Sequence, residues 1–330
     1  MCCALRPGTS ADPTLTLSYF RQKATARITR YRRSSALWRM PMHGPMKRFI
    51  RLLACAGVGI VLGVSVYVGL VQSGLAPSPF DPRVRGDIAL ARSARPGLRV
   101  LFVGNSFTFR NGLAGMVHDL AVGANGGPQL FAVEYAAPGW SLKAASKDDG
   151  LTALLKDVRW NVVVLQEQSQ LLSFTREEWR RETYPFARSL HERISRRGGR
   201  TLLFMTWGYQ RGDGYNWPGD TFSGMQARLA QGYSELAAEL PASVVPVGLA
   251  WAKAQRRRPR LDLWDWDGRH PNREGSYLAA CVFYAALTGR DPARSTFTAG
   301  LSPTDARFLE RIGASIARRP REGGWGLSPG

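Results

Sequence analysis

Short apolar runs alternate with stretches of helical spacing along residues 98–317. Residues 98–104 (LRVLFVG), 129–135 (QLFAVEY), 160–165 (WNVVVL), 201–206 (TLLFMT) and 243–247 (SVVPV) have the length and composition of strands buried on both faces. Residues 111–122, 142–156, 176–197, 222–240, 273–288 and 303–317 predict helices. In 222–240 the apolar side chains of Met225, Leu229, Tyr233 and Leu236 fall on one face, and 176–197 is stopped by Gly198-Gly199. Five strands alternating with helices imply a three-layer α/β/α sandwich around a mainly parallel five-stranded sheet. In such sheets the functional groups gather at the carboxyl ends of the strands.

One apolar run has a different character. Residues 52–71 (LLACAGVGIVLGVSVYVGLV) carry no charge, and as a helix they would span about 30 Å, the thickness of a bilayer's hydrocarbon core. Lys47, Arg48 and Arg51 precede it, so a transmembrane helix here would leave the C-terminal part extracytoplasmic. Small residues at Gly74 and Ala76 keep a cleaved signal, and with it a secreted or periplasmic protein, as the alternative. The expected organisation is a basic, disordered leader (1–51), a membrane or signal segment (52–71), a linker (72–96), a catalytic domain (97–317) and a disordered tail (318–330). Met46-Lys47-Arg48 before the apolar run makes a complete short n-region, so Met46 is an expected translation start.

The chain has 330 residues and a net charge of +20. Residues 1–51 hold 11 Lys/Arg against one acid, Asp12, so half of that excess sits in the leader. The charge therefore does not imply a nucleic-acid partner. Cys2, Cys3, Cys55 and Cys281 follow no zinc-site or disulfide spacing, and beyond residue 76 only Cys281 remains. No metal site and no cofactor are expected.

The polar residues at the predicted strand ends carry the chemistry. Gly104-Asn105-Ser106 follows the first run, Pro138-Gly139-Trp140-Ser141 the second and Gln166-Glu167-Gln168-Ser169 the third; Asp267-Gly268-Arg269-His270 comes near the domain's end. They supply a hydroxyl, amide donors, an imidazole and a carboxylate. A serine needs a base to become nucleophilic, and a histidine oriented by a carboxylate can serve near neutral pH. Asp262 and Asp265 compete with Asp267 for that carboxylate role.

These blocks, over roughly residues 97–290, resemble the SGNH (GDSL-like) hydrolase family, in a divergent branch with GNS, LQEQS and DxxH blocks. The resemblance implies a flavodoxin-like fold, Ser106 as nucleophile, and Asp267 and His270 as its relay. It also implies an oxyanion hole from the backbone N–H groups of Ser106 and Gly139. The family's third block is usually Gly-x-Asn-Asp, whose Asn donates to the oxyanion. Here a glutamine would replace it: position favours Gln168, adjacency to the strand Gln166. Asn105, Trp140, Trp207 and Trp266 are candidate substrate contacts, and the Gly-rich segment 211–220 around Trp217 a candidate mobile flap. Asn111 reads as a helix N-cap.

The implied activity is that of an acylesterase working through an acyl-serine intermediate, with carbohydrate O-acetyl esters as the preferred substrates. The rival readings are an O-acyltransferase on an extracytoplasmic glycan and a non-catalytic polysaccharide-binding module. The partners expected are an ester substrate and, through residues 52–71, a membrane.

Overall fold

The computed structural model describes residues 82–93, 95–127 and 129–317. The leader, the membrane or signal segment 52–71 and the tail 318–330 lie outside the described residues. Among the described residues no helix is long and apolar enough to cross a membrane.

The chain enters through β1 (Arg83–Arg85) and α1 (Ile88–Arg92). β2 (Leu98–Gly104) and β3 (Leu130–Ala136) flank α2 (Ser106–Phe109) and α3 (Leu113–Gly123). Next come α4 (Leu142–Ser146), α5 (Asp149–Asp157), β4 (Val162–Leu165), α6 (Arg176–Glu182), α7 (Tyr184–Ser195) and β5 (Arg200–Phe204). α8 (Phe222–Glu239), β6 (Ser243–Val245), α9 (Val247–Arg257), α10 (Arg273–Thr288) and α11 (Pro303–Ala317) complete the domain.

The sheet runs β1-β3-β2-β4-β5-β6. All neighbours are parallel except β1, which lies antiparallel to β3 with Arg85 opposite Glu134. The sheet is thus six-stranded and mixed, where five strands were expected, and the extra strand comes from the expected linker. β1 gave no sequence signal because its three residues are all exposed, and an edge strand bearing charge needs no apolar pattern. The five parallel strands have the flavodoxin-like doubly wound order, whose switch point lies between β2 and β4. The loops carrying Ser106 and Gln166–Gln168 leave the sheet there.

The central strands are apolar throughout because helices cover both faces. On one face α10 packs against α3 and α11, and Phe283 of α10 meets Phe102 and Phe204 edge-on at 5.0 and 4.8 Å between ring centroids. Each such contact contributes about 0.5–1.5 kcal/mol beyond burial. α4 packs against α7. Two predicted helices are each divided. Residues 142–156 break where Asp148 caps α5 by accepting the Leu151 N–H at 2.7 Å. Residues 176–197 break at Thr183, just before Pro185, whose ring removes an N–H and crowds the carbonyl four residues earlier. The helix α9 has no counterpart among the predicted helices, and its first residue, Val247, is the last of the run read as a strand, where the strand itself ends at Val245.

Candidate active site

The turn after β2 is built around buried amides. Asn105 is the N-cap of α2: its side-chain oxygen accepts the Phe107 N–H at 3.0 Å, and its Nδ2 donates to the Trp140 carbonyl at 2.8 Å. Its backbone N–H donates to Gln166 Oε1 at 2.9 Å, an oxygen that also accepts the Thr108 hydroxyl at 2.9 Å. The close approach of Gln166 requires glycine at 104, since a Cβ there would lie 2.5 Å from Gln166 Oε1 and 2.3 Å from Thr108 Oγ1. These contacts set Ser106 at the first position of α2, half-buried.

The second half of the site is the loop 265–271. An isolated antiparallel bridge pairs Trp264 with Pro271, and Asp265 N–H donates to the His270 carbonyl at 2.8 Å. Gly268, at φ +65°, turns the chain between them. Asp267 Oδ1 accepts the N–H groups of Arg269 and His270, both at 2.9 Å, and Asp267 Oδ2 bonds His270 Nδ1. The other ring nitrogen, Nε2, lies 2.8 Å from Ser106 Oγ. Partial burial pushes the Asp267 carboxyl up. Hydrogen bonds from the His270 ring and the two N–H groups, together with the His270 charge, outweigh that and hold it at about 2. Asp267 is therefore ionised at neutral pH and directs Nδ1 to carry the ring proton, which leaves the Nε2 lone pair facing the serine. The competing acids are committed elsewhere. Asp265 pairs with Arg110 at 2.9 Å, and Asp262 Oδ1 accepts the Trp264 N–H at 3.0 Å.

Residues to which the sequence assigned another role, or none, brace this arrangement. Asn111 is not an N-cap. It sits at φ 56°, ψ 11°, and its Nδ2 lies 3.0, 3.1 and 2.9 Å from Pro271 O, Asn272 O and Ser276 Oγ. It thus clamps the serine segment to the histidine loop. The Asn111-Gly112 dipeptide was the available clue, as a pair that favours positive φ. Beneath the site runs an aromatic column. His270 meets Phe107 edge-on at 5.5 Å, Phe107 stacks on Trp207 at 4.7 Å, and Trp207 stacks on Trp251 at 4.1 Å.

Four candidate roles change. Trp207 is fully buried in that column and donates its Nε1–H to the Arg269 carbonyl at 3.0 Å, so it supports the loop and is closed to substrate. Asn105 is 3% exposed with both amide ends engaged, so it too is structural. Gln166 is 1% exposed; its oxygen braces the Ser106 turn and its amide bonds the Glu167 carbonyl, which removes it as an oxyanion donor. The segment 211–220 is no loose flap. Asp213 accepts the side-chain amides of Gln170 and Asn216 at 2.8 Å, and Arg228 grips Asp220.

The remaining candidates each keep a donor or a ring face open. The backbone N–H groups of Ser106 and Gly139 make no hydrogen bond within the described residues. Gly139, at φ +69°, lies in the turn that Asn105 ties to its own through Trp140. Gln168 is half-buried; its Nε2 gives one hydrogen to Gln170 Oε1 at 3.3 Å and retains a second. Trp140 is partly buried against Tyr135. Trp266 stands 91% exposed, directly before Asp267. Among the described residues no group of three or more His, Cys, Asp or Glu is placed to hold a metal ion.

No family model matches the chain, and no curated protein matches it. Solved structures do. A DUF4886 family protein from Bacteroides uniformis is 18% identical, with 66% of this chain and 93% of that one covered and a TM-score of 0.56; it shares the fold. A protein from Slackia heliotrinireducens assigned to the SGNH hydrolases is 25% identical over 57% of this chain and 98% of its own, TM-score 0.48. A catalytic variant of an acetylxylan esterase from Geobacillus stearothermophilus is 17% identical over 57% of this chain and 94% of its own, TM-score 0.42. Of these three, the neighbour with a TM-score above 0.5 shows the fold, and the other two are described as an SGNH hydrolase and an acetylxylan esterase.

Proposed function

We propose that this chain is a serine ester hydrolase of the SGNH type, acting through an acyl-serine intermediate. The observation that carries the reading is the unbroken line from the Asp267 carboxylate through His270 to Ser106 Oγ, 2.8 Å from Nε2.

In the first step His270 Nε2 takes the serine proton while Oγ adds to the ester carbonyl carbon, and the carbonyl electron pair moves onto oxygen. The N–H groups of Ser106 and Gly139 and the Gln168 amide receive that oxyanion. Collapse breaks the bond to the alcohol oxygen, which takes the proton from His270 and leaves Ser106 acylated. Water then repeats the sequence, releases the carboxylic acid and restores the serine. Asp267 stabilises the imidazolium in both halves.

The test is p-nitrophenyl acetate hydrolysis by the wild-type chain beside Ser106→Ala. Loss of the serine should lower kcat about 10⁴- to 10⁶-fold. Equal turnover by the two proteins would remove Ser106 from the chemistry.

The substrates we propose are O-acyl, chiefly acetyl, esters of carbohydrates. Trp266, 91% exposed and directly before Asp267, supports this reading as an open aromatic face beside the Asp267/His270 loop. Trp266→Ala should raise KM for an acetylated oligosaccharide at least fivefold while leaving KM for p-nitrophenyl acetate unchanged. Cleavage confined to long-chain lipid esters would sink the carbohydrate assignment.

A further inference from the structure

Glu167 stands between the two loops that carry the oxyanion donors. It is 0% exposed, and its Oε1 accepts two backbone N–H groups, from Leu142 at 3.0 Å and from Gln168 at 2.6 Å. Leu142 opens α4, three residues after Gly139; Gln168 carries the remaining candidate amide, whose Oε1 accepts the Gln170 N–H at 2.8 Å and whose Nε2 keeps one hydrogen beyond its 3.3 Å bond to Gln170 Oε1. One carboxyl oxygen therefore joins the loop after β3 to the loop after β4.

The other oxygen, Oε2, is buried without a hydrogen-bond partner. The Thr183 hydroxyl faces the carboxyl without closing a bond, and the hydroxyls of Thr206 and Tyr233 are likewise buried and unpartnered. Among the described residues no cation acts on it; Tyr233 of α8 is the other titratable group there. Burying a half-satisfied carboxyl costs stability. An apolar side chain here would remove the unpaired Oε2 but leave the Leu142 and Gln168 N–H groups without an acceptor. What the acid adds is the cross-link.

We propose that Glu167 is a positioning residue for the ester hydrolysis: its carboxyl oxygen fixes the spacing of the Gly139 and Gln168 loops, so that their donors converge on one oxyanion. The inference rests on the function proposed above. Oxyanion donors act through geometry set before the reaction, and removal of one typically lowers kcat about 10²- to 10³-fold. A slackened hole should affect the chemical step and spare ground-state binding.

The experiment uses the full chain with Glu167→Leu, which removes the acceptor, Glu167→Gln, which retains Oε1, and Glu167→Asp, which withdraws it by one methylene. Two rates are read: p-nitrophenyl acetate turnover and covalent labelling of Ser106 by a fluorophosphonate. Melting temperature is followed in parallel. Glu167→Leu should lower kcat and the labelling rate at least tenfold, with KM within twofold of wild type. Glu167→Gln should restore both rates to within threefold. If Glu167→Leu does not fold, Glu167→Asp must show the same kcat loss. A folded Glu167→Leu or Glu167→Asp with wild-type rates overturns the inference. So does a loss that Glu167→Gln fails to restore. A wild type that neither turns over nor labels at Ser106 overturns the function itself, a result distinct from either.

Discussion

At the scale of single residues, the site depends on side chains whose work is to hold others. Asn111 is the clearest case. Most non-glycine residues lose about 1–2 kcal/mol in the left-handed region and asparagine less; Asn111 occupies it while its amide reaches Pro271, Asn272 and Ser276. Asn111→Ala keeps the strain and loses the bonds; Asn111→Gly loses the bonds and relieves the strain. Thermal melts should therefore rank wild type above Asn111→Gly and Asn111→Gly above Asn111→Ala. The alanine variant should lose about 2 kcal/mol, or roughly 4–8 °C for a domain of this size. Both variants should lower kcat, because the histidine loop is no longer tied to the serine segment. An alanine variant matching wild type in melt and rate would show that the clamp holds nothing.

At the scale of elements, the aromatic column joins the sheet's helical cover to the catalytic loop. Trp207 follows β5, lies flat between Phe107 of α2 and Trp251 of α9, and reaches the loop 265–271 through Nε1. Trp207→Ala should cost about 3–5 kcal/mol, the usual range for emptying a buried aromatic position. Trp207→Phe retains a ring in the stack but loses the bond to the Arg269 carbonyl. It should lower stability by about 1–2 kcal/mol and reduce kcat, as a urea melt set against turnover would show. Full activity in Trp207→Phe would mean that the loop is held without that bond.

For the whole molecule, two buried glutamates and Asp267 make stability respond to pH in opposite senses. Burial raises the carboxyls of Glu134 and Glu167 from 4.5 to about 7, although Arg85 lies 3.9 Å from Glu134 and opposes the rise there. Between those values the unfolded chain releases protons that the folded chain retains, so stability falls as pH rises from about 4.5 through 7. Asp267 acts in the opposite sense. Held at about 2, it contributes stability above about pH 4 that is lost as pH falls through 2. The melting temperature should therefore decline from pH 5 to pH 8, and Glu134→Gln combined with Glu167→Gln should flatten that decline. A melting temperature rising over this interval in the wild type would contradict the assignment of the two buried acids.

The sequence by itself determined what depends on near neighbours. The five parallel strands announced themselves as apolar runs because a sheet covered on both faces favours apolar side chains at most positions, Glu134 of β3 being a buried exception. Asp267 and His270 were legible as a block that resembles the family's DxxH, and the structure sets them in one turn whose N–H groups the carboxylate also receives, with the competing Asp262 and Asp265 engaged elsewhere. Only the tertiary structure decided what depends on distant partners. Gln166 and Gln168 have the same side chain two residues apart, yet the first is consumed by Asn105 and Thr108, about sixty residues earlier in the chain. Trp207 and Trp266 flank similar loops, yet one is sealed in the core and the other open. β1 has no pattern of its own and exists through its pairing with β3. An amide's role follows from which donor or acceptor reaches it, and a ring's role from what covers it; both are set by chain segments that meet only when the sheet has formed.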